Sequence, residues 1–278
     1  MTAGVKTGVS KSHKPKRKPP RSESSPDQVL YLYGITRSGK FDVGTSGVDG
    51  RSAIEPLECP GCVCWVSRVS RRDFADELNS HMQNLDWLAG AGVRHQQAVA
   101  AIASQAEVLP ARFATVFLSH DSLERHIRAE KPTLEAAFER ISGCEEWGVK
   151  VYAVPRAAAP AVESIRSGRE YLQHKAASLH SRAPRNADLE IEELVRELAK
   201  HSRDTASSTA QSSQPGLEWQ ASFLIPRKER DNFLRVTTRY AERWRDRRRI
   251  ECTGPWPTYS FVAALGSGAS QAVGKDRP

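Results

Sequence analysis

Three thiols stand close together at Cys59, Cys62 and Cys64, and the pair in Cys59-Pro60-Gly61-Cys62 has the two-residue separation at which thiolates bite one tetrahedral zinc ion. The other half of such a site is absent, because no His or Cys pair elsewhere has matching spacing, so the reading is small apolar thiols at a loop-to-strand junction. His95 lies in an alanine-rich helical stretch and could act as a general base or a ligand. No nucleophile or carboxylate stands near it at a supporting spacing, which leaves a structural or partner-facing histidine. Arg112, ahead of an apolar run, has the fork geometry for a carboxylate, and an acid of a neighbouring element is its expected partner. Gly254-Pro255-Trp256-Pro257 fixes two backbone dihedrals and presents a large indole, read as a plug between two domains, with a partner anchor as the alternative. Arg243, Arg245, Arg247, Arg248 and Arg249 flank Trp244, an arrangement able to bind single-stranded nucleic acid, although a solvated helix end is the simpler account.

These residues sit on elements that the pattern of the chain predicts. Strands are expected at 29–35 and 62–66, where β-branched and aromatic residues cluster, and at 112–118 and 149–154. Ser70 followed by Asp73 marks a helix start, and Phe74, Leu78, Met82, Leu85 and Leu88 recur at helical spacing, predicting a helix over 71–88. Gly90 and Gly92 interrupt it ahead of a second helix over 95–106. Leu123, Ile127, Leu134, Phe138 and Ile141 predict helix again, with Pro132 kinking or splitting it. Further on, helices are expected at 167–181 and 188–201, able to pair as a hairpin, then a flexible loop over 202–215. A strand at 219–225, a helix over 227–245 and an extended region over 249–265 complete the pattern.

The resulting class is α+β, in two domains: an N-terminal one over 28–155 with a single sheet and packed helices, and a smaller C-terminal one over 156–265. Residues 1–27 and 266–278 are expected to be disordered tails, because they hold almost nothing to bury. The formal net charge of +8 over 278 residues is concentrated in the first tail, which carries +5, so the remainder is nearly balanced. No apolar run approaches the roughly 20 residues a membrane helix needs, and the first thirty residues lack the apolar block of a signal peptide. Five unevenly spread cysteines fit reduced thiols in a cytosolic protein.

Four ordered segments then carry a resemblance. They are Tyr31-Leu32-Tyr33-Gly34-Ile35; Trp87-Leu88 with His95 and the run from Val108 to Phe117; Glu146-Trp147-Gly148-Val149-Lys150-Val151 followed by Gly168-Arg169-Glu170-Tyr171-Leu172; and Phe223-Leu224-Ile225-Pro226 leading to Gly254-Pro255-Trp256-Pro257-Thr258-Tyr259-Ser260-Phe261. Together they resemble the gas-vesicle synthesis protein L/F family over roughly residues 29–263, and the closing motif weighs most. Ala114 stands where the family usually has Gly, and Thr258 where a third proline is common. The first departure weakens the expectation of a special backbone conformation at Ala114, since alanine is strained at φ > 0.

The resemblance implies a modified ferredoxin-like first domain and a cytoplasmic accessory role without enzymatic activity. Its implied partners are the small hydrophobic shell protein and other accessory proteins, with no cofactor, metal or membrane insertion. Arg112, Trp147, Pro255, Trp256 and Tyr259 are the candidate partner-binding or domain-junction residues. The competing reading, from the basic tail and the arginine run, is a nucleic-acid-binding module.

Overall fold

Strand β1 (Gln28–Thr36) is buried on both faces, and its alternation explains the architecture around it. Val29, Tyr31 and Tyr33 point to one side, Leu30 and Leu32 to the other. A register shift between Leu32 and Gly34 changes the parity, so that Ile35 rejoins the face of Leu30 and Leu32. The computed structural model describes residues 27–154, 184–207 and 214–262. Within them β1 pairs antiparallel with β3 (Cys62–Ser70), which pairs with the edge strand β2 (Glu55–Cys59). On its other side β1 meets two short strands, β4 (Val108–Pro110) and β5 (Val116–Phe117).

Both faces of this sheet are covered. One carries a π-helical turn (Arg72–Asp76), α1 (Leu78–His81) and α2 (Leu85–Ala103), from which Phe74, Ala91, Ala98, Val99 and Ile102 pack against Tyr31, Tyr33 and Trp65. The other carries α3 (His120–Ala129) and α4 (Lys131–Ile141), with Leu123, Ile127, Leu134, Phe138 and Ile141 buried. Ser119 and Ser122 cap α3 reciprocally, and Pro132 opens α4, so the proline splits the helix instead of kinking it.

Only Ser142 and Gly143 separate α4 from β6 (Cys144–Ala153), the central strand of a second antiparallel sheet. Its order is β7-β8-β6-β9, with β7 at Asp204–Ser207, β8 at Leu217–Pro226 and β9 at Arg248–Trp256. Helices α5 (Pro184–Ala199) and α6 (Arg230–Trp244) cover one face of it. There Leu194, Leu198, Phe233, Tyr240 and Trp244 meet Val149, Val151 and Phe223. A last 3-10 turn, Tyr259–Phe261, closes over Leu224 and Cys144 on the opposite face.

Several expectations are corrected. The helix expected over 71–88 is three pieces, because Asn84 takes an extended conformation and caps a new helix, accepting bonds from the Asp86 and Trp87 N–H groups. Met82 and Leu85 fitted the periodic pattern, yet they are 41% and 77% exposed. Helix α2 runs straight through Gly90 and Gly92, since one buried face outweighs two glycines at about 1 kcal/mol each. Only Val116 and Phe117 of the strand expected at 112–118 are extended. The strand expected over 149–154 starts five residues earlier and belongs to the second sheet. Part of the expected loop 202–215 is strand β7, held by pairing with β8. The helix expected at 167–181, and with it the helical hairpin, lies outside the described residues, as do residues 1–26 and 263–278. Among the described residues no helix is long and apolar enough to cross a membrane.

Candidate functional site

His95, on α2, sits between β1 and the closing 3-10 turn. It is 1% exposed, and its Nδ1 lies 3.0 Å from the Tyr31 hydroxyl while its Nε2 lies 3.2 Å from that of Tyr259. Tyr31 also accepts the Ala114 N–H at 3.0 Å, so its hydroxyl is tied both to His95 Nδ1 and to the backbone. A neutral imidazole thus bridges β1 and the closing turn. Burial lowers its pKa to about 4, against an opposing bond to the Ala111 backbone. Burial likewise pushes the phenols of Tyr31 and Tyr259 well above the ordinary tyrosine range, and that of Tyr33 up to about 12. Bonded through both ring nitrogens, His95 clasps β1 to the closing turn.

Ala114 has φ of 64°, so the special conformation is present after all, on an alanine. It turns the chain after Arg112, whose carbonyl accepts bonds from Thr115 N–H at 3.2 Å and Oγ1 at 2.8 Å. Arg112 itself is exposed and makes no ion pair among the described residues, which corrects the expected pairing with a neighbouring acid.

Beside the clasp lies a cavity of about 530 Å³ between the end of α2, Glu107, the start of β6, Arg227, Arg230 and the turn Pro255–Thr258. Trp256 edges this cavity and is 53% exposed, with its indole N–H donated to Thr253 Oγ1 at 3.2 Å. The ring therefore does not plug the junction, which corrects the expectation for Trp256. The buried indole is Trp147, which donates to Glu145 Oε1 at 2.7 Å. Gly254 makes this possible: a Cβ on it would lie 2.8 Å from Trp147 Cδ2 and 2.9 Å from the Glu146 carbonyl, and its φ is +152°. Pro255 follows it through a cis peptide.

Polar side chains knit the second sheet to α6, to the closing turn and to α4. Glu145, nearly buried, accepts from Arg230 Nε at 2.6 Å; burial alone would raise its pKa, but Arg230 and Trp147 hold it below the usual carboxylate value. Glu146 grips Ser260 through both carboxylate oxygens, at 3.0 Å from the N–H and 2.6 Å from Oγ. Arg140 binds Asp204, donates to the Phe261 carbonyl and lies over the Phe261 ring. Arg203 Nη1 donates to the carbonyls of Arg140 and Ser142 at 2.7 and 2.9 Å, closing the C-terminus of α4. Of the expected site residues, Pro255 and Trp256 line the cavity, Trp147 packs in the second core against Gly254, Tyr259 bonds His95, and Arg112 lies apart from the cavity lining. Glu145, Glu146, Arg140 and Arg203 were missed, because single charges give no pattern in the chain until their partners are placed.

The other chemical candidates resolve differently. The arginine run serves the fold: Arg243 and Arg247 pair with Glu193 and Glu190 of α5, and Arg248, 7% exposed, bonds Glu190 and Glu218 at 2.6 Å while lying over Trp244. Cys59 and Cys62 face each other across the Pro60-Gly61 turn. The neighbouring Cys59 and Cys62 thiols, with burial, push Cys64 up, while Cys64 lowers Cys62. Among the described residues the three sulfurs do not converge as a ligand set.

The model of the gas vesicle synthesis protein GvpL/GvpF family matches residues 29–263. Gas vesicle protein L of a Streptomyces species is 32% identical over 260 residues, covering 86% of this chain and 94% of its own. Gas vesicle protein F1 of Halobacterium salinarum is 23% identical, covering 88% and 97%. In fold, the chain is similar to crystal structures of GvpF from Anabaena (TM-score 0.62, 18% identity) and Microcystis aeruginosa (0.62, 19%). These comparisons cover 86% and 84% of this chain and 97% and 99% of theirs. Matched from its first strand to its closing turn, this mixed α/β chain belongs to the GvpL/GvpF family of gas vesicle accessory proteins.

Proposed function

We propose that this chain is a cytoplasmic assembly factor that holds the hydrophobic shell protein before it joins the growing gas vesicle. The family match from residue 29 to 263 supports an accessory role, and the observation that carries the docking site is the half-exposed Trp256 at the rim of the junction cavity. An indole that the protein leaves open to solvent, seated on two prolines, is a rigid apolar anchor for a partner. Each 100 Å² of apolar surface covered there contributes about 2.5 kcal/mol before ordering costs, so a small footprint suffices. The protein's output is contact and not bond-making. We read the two sheet-and-helix units as two domains, the first a modified ferredoxin-like one, and move their boundary from the expected 155 to Ser142-Gly143, because β6 pairs in the second sheet.

Purified chain and shell protein, co-expressed and captured through either partner, test this reading. Capture that Trp256→Ala weakens about tenfold or more, with the variant melting like the parent, is the expected result. Failure of the folded parent to capture the shell protein or any accessory protein of the same gene cluster overturns it.

A further inference from the structure

Away from the junction, the π-helical turn and α1 bring together Asp73, Glu77 and His81, one ligand atom of each lying within 4.8 Å of the other two. The wide turn is closed by Glu77 N–H bonding the Arg72 carbonyl at 2.7 Å, and Ser70 Oγ accepts the Asp73 N–H, so the backbone carrying both acids is fixed. The imidazole is fixed too, stacked on Trp87 with ring centroids 5.0 Å apart and planes at 19°. Its Nε2 is withdrawn from solvent and has no hydrogen-bond partner. It lies 3.8 Å from Asp73 Oδ1, too far for a hydrogen bond. Two ligands about 2.1 Å from a tetrahedral ion are themselves roughly 3.4 Å apart, so a small side-chain adjustment seats an ion between them.

We infer that Asp73, Glu77 and His81 form a binding site for a divalent first-row transition ion of the zinc class. A neutral imidazole with two carboxylates suits such an ion and not calcium, which takes six or more oxygens. An ion would give the orphaned nitrogen a partner and offset the charge of both acids. Arg72, whose Nε holds Glu77 Oε1 at 2.8 Å, competes with the ion for that carboxylate. Because Asp73 and Glu77 are 48% and 43% exposed, the ion would keep coordination positions open to solvent.

The test uses the untagged full chain, thiols reduced and metal stripped, titrated with Zn²⁺ by calorimetry and with Co²⁺ by visible absorption. One saturable ion is expected, with a nitrogen and oxygen cobalt spectrum free of thiolate charge transfer. His81→Gln and Asp73→Asn should each weaken it at least tenfold, whereas Arg72→Gln should retain or tighten it. Circular dichroism checks that each variant folds, and the cobalt spectrum of the parent alone decides between imidazole and thiolate ligands. No saturable binding, binding indifferent to His81→Gln, or a thiolate spectrum abolished by serine at Cys59, Cys62 and Cys64 overturns the proposal.

Discussion

A backbone nitrogen on a strained alanine is the first link of the chain Ala114, Tyr31, His95, Tyr259. Holding an alanine at φ of 64° costs roughly 1–2 kcal/mol, and glycine adopts that region freely but loses more entropy on folding. Ala114→Gly is therefore expected to stabilise the protein by about 0.5–1 kcal/mol, read as a higher denaturant midpoint. His95 supplies the pH dependence. Its folded pKa of about 4 lies below the unfolded value near 6.5, so the unfolded chain takes up the proton first as pH falls. Stability from this group is whole above about pH 6.5, is lost progressively down to about pH 4, and changes no further below that; the total is on the order of 3 kcal/mol. Denaturant melts between pH 7 and pH 4 should show this slope, and His95→Gln should flatten it. In the chain His95 stands out as an imidazole among alanines, but its partners lie 64 and 164 residues away, beyond the reach of any local pattern.

Elements whose residues carry their own reason to form were legible. Strands β1, β3, β6 and β8 show as β-branched and aromatic runs because their side chains fill cores. Strand β7 did not, since Asp204-Thr205-Ala206-Ser207 offers little to bury and exists through hydrogen bonds to β8. The break between α1 and α2 was hidden by the exposed Met82 and Leu85, which imitate a buried face, while the signal that mattered was the single cap Asn84. Asn84→Ala should cost about 1 kcal/mol in a thermal or denaturant melt. The arginine cluster was legible as a cluster and misleading as a function. Arg248 sits between Glu190 and Glu218, and Arg248→Met should cost about 1–2 kcal/mol, discounted because both acids are partly solvated. That loss should shrink when Glu190→Gln is added, which a double-mutant cycle measures.

At the scale of the whole fold, the described residues form two sheets joined by a two-residue step and held at one side by Arg140, Arg203, Glu146 and the His95 clasp. Arg140→Ala combined with Tyr259→Phe should loosen this junction while both sheets stay folded. Hydrogen exchange would then rise at residues 258–262 and in the last turn of α4, with β1 and β6 still protected. A drop in protection across β1 would instead show that the clasp supports the first core. The clasp also joins residues made at very different times. On the ribosome the first sheet and its helices emerge complete long before Tyr259 and Phe261 do, and domains fold as they appear. Until Tyr259 has been made, the nitrogen of His95 that faces it is without its phenol and the cavity beside it lacks the wall that Pro255 to Thr258 supply, so a surface begun by the first strand is completed only when the closing turn has been translated.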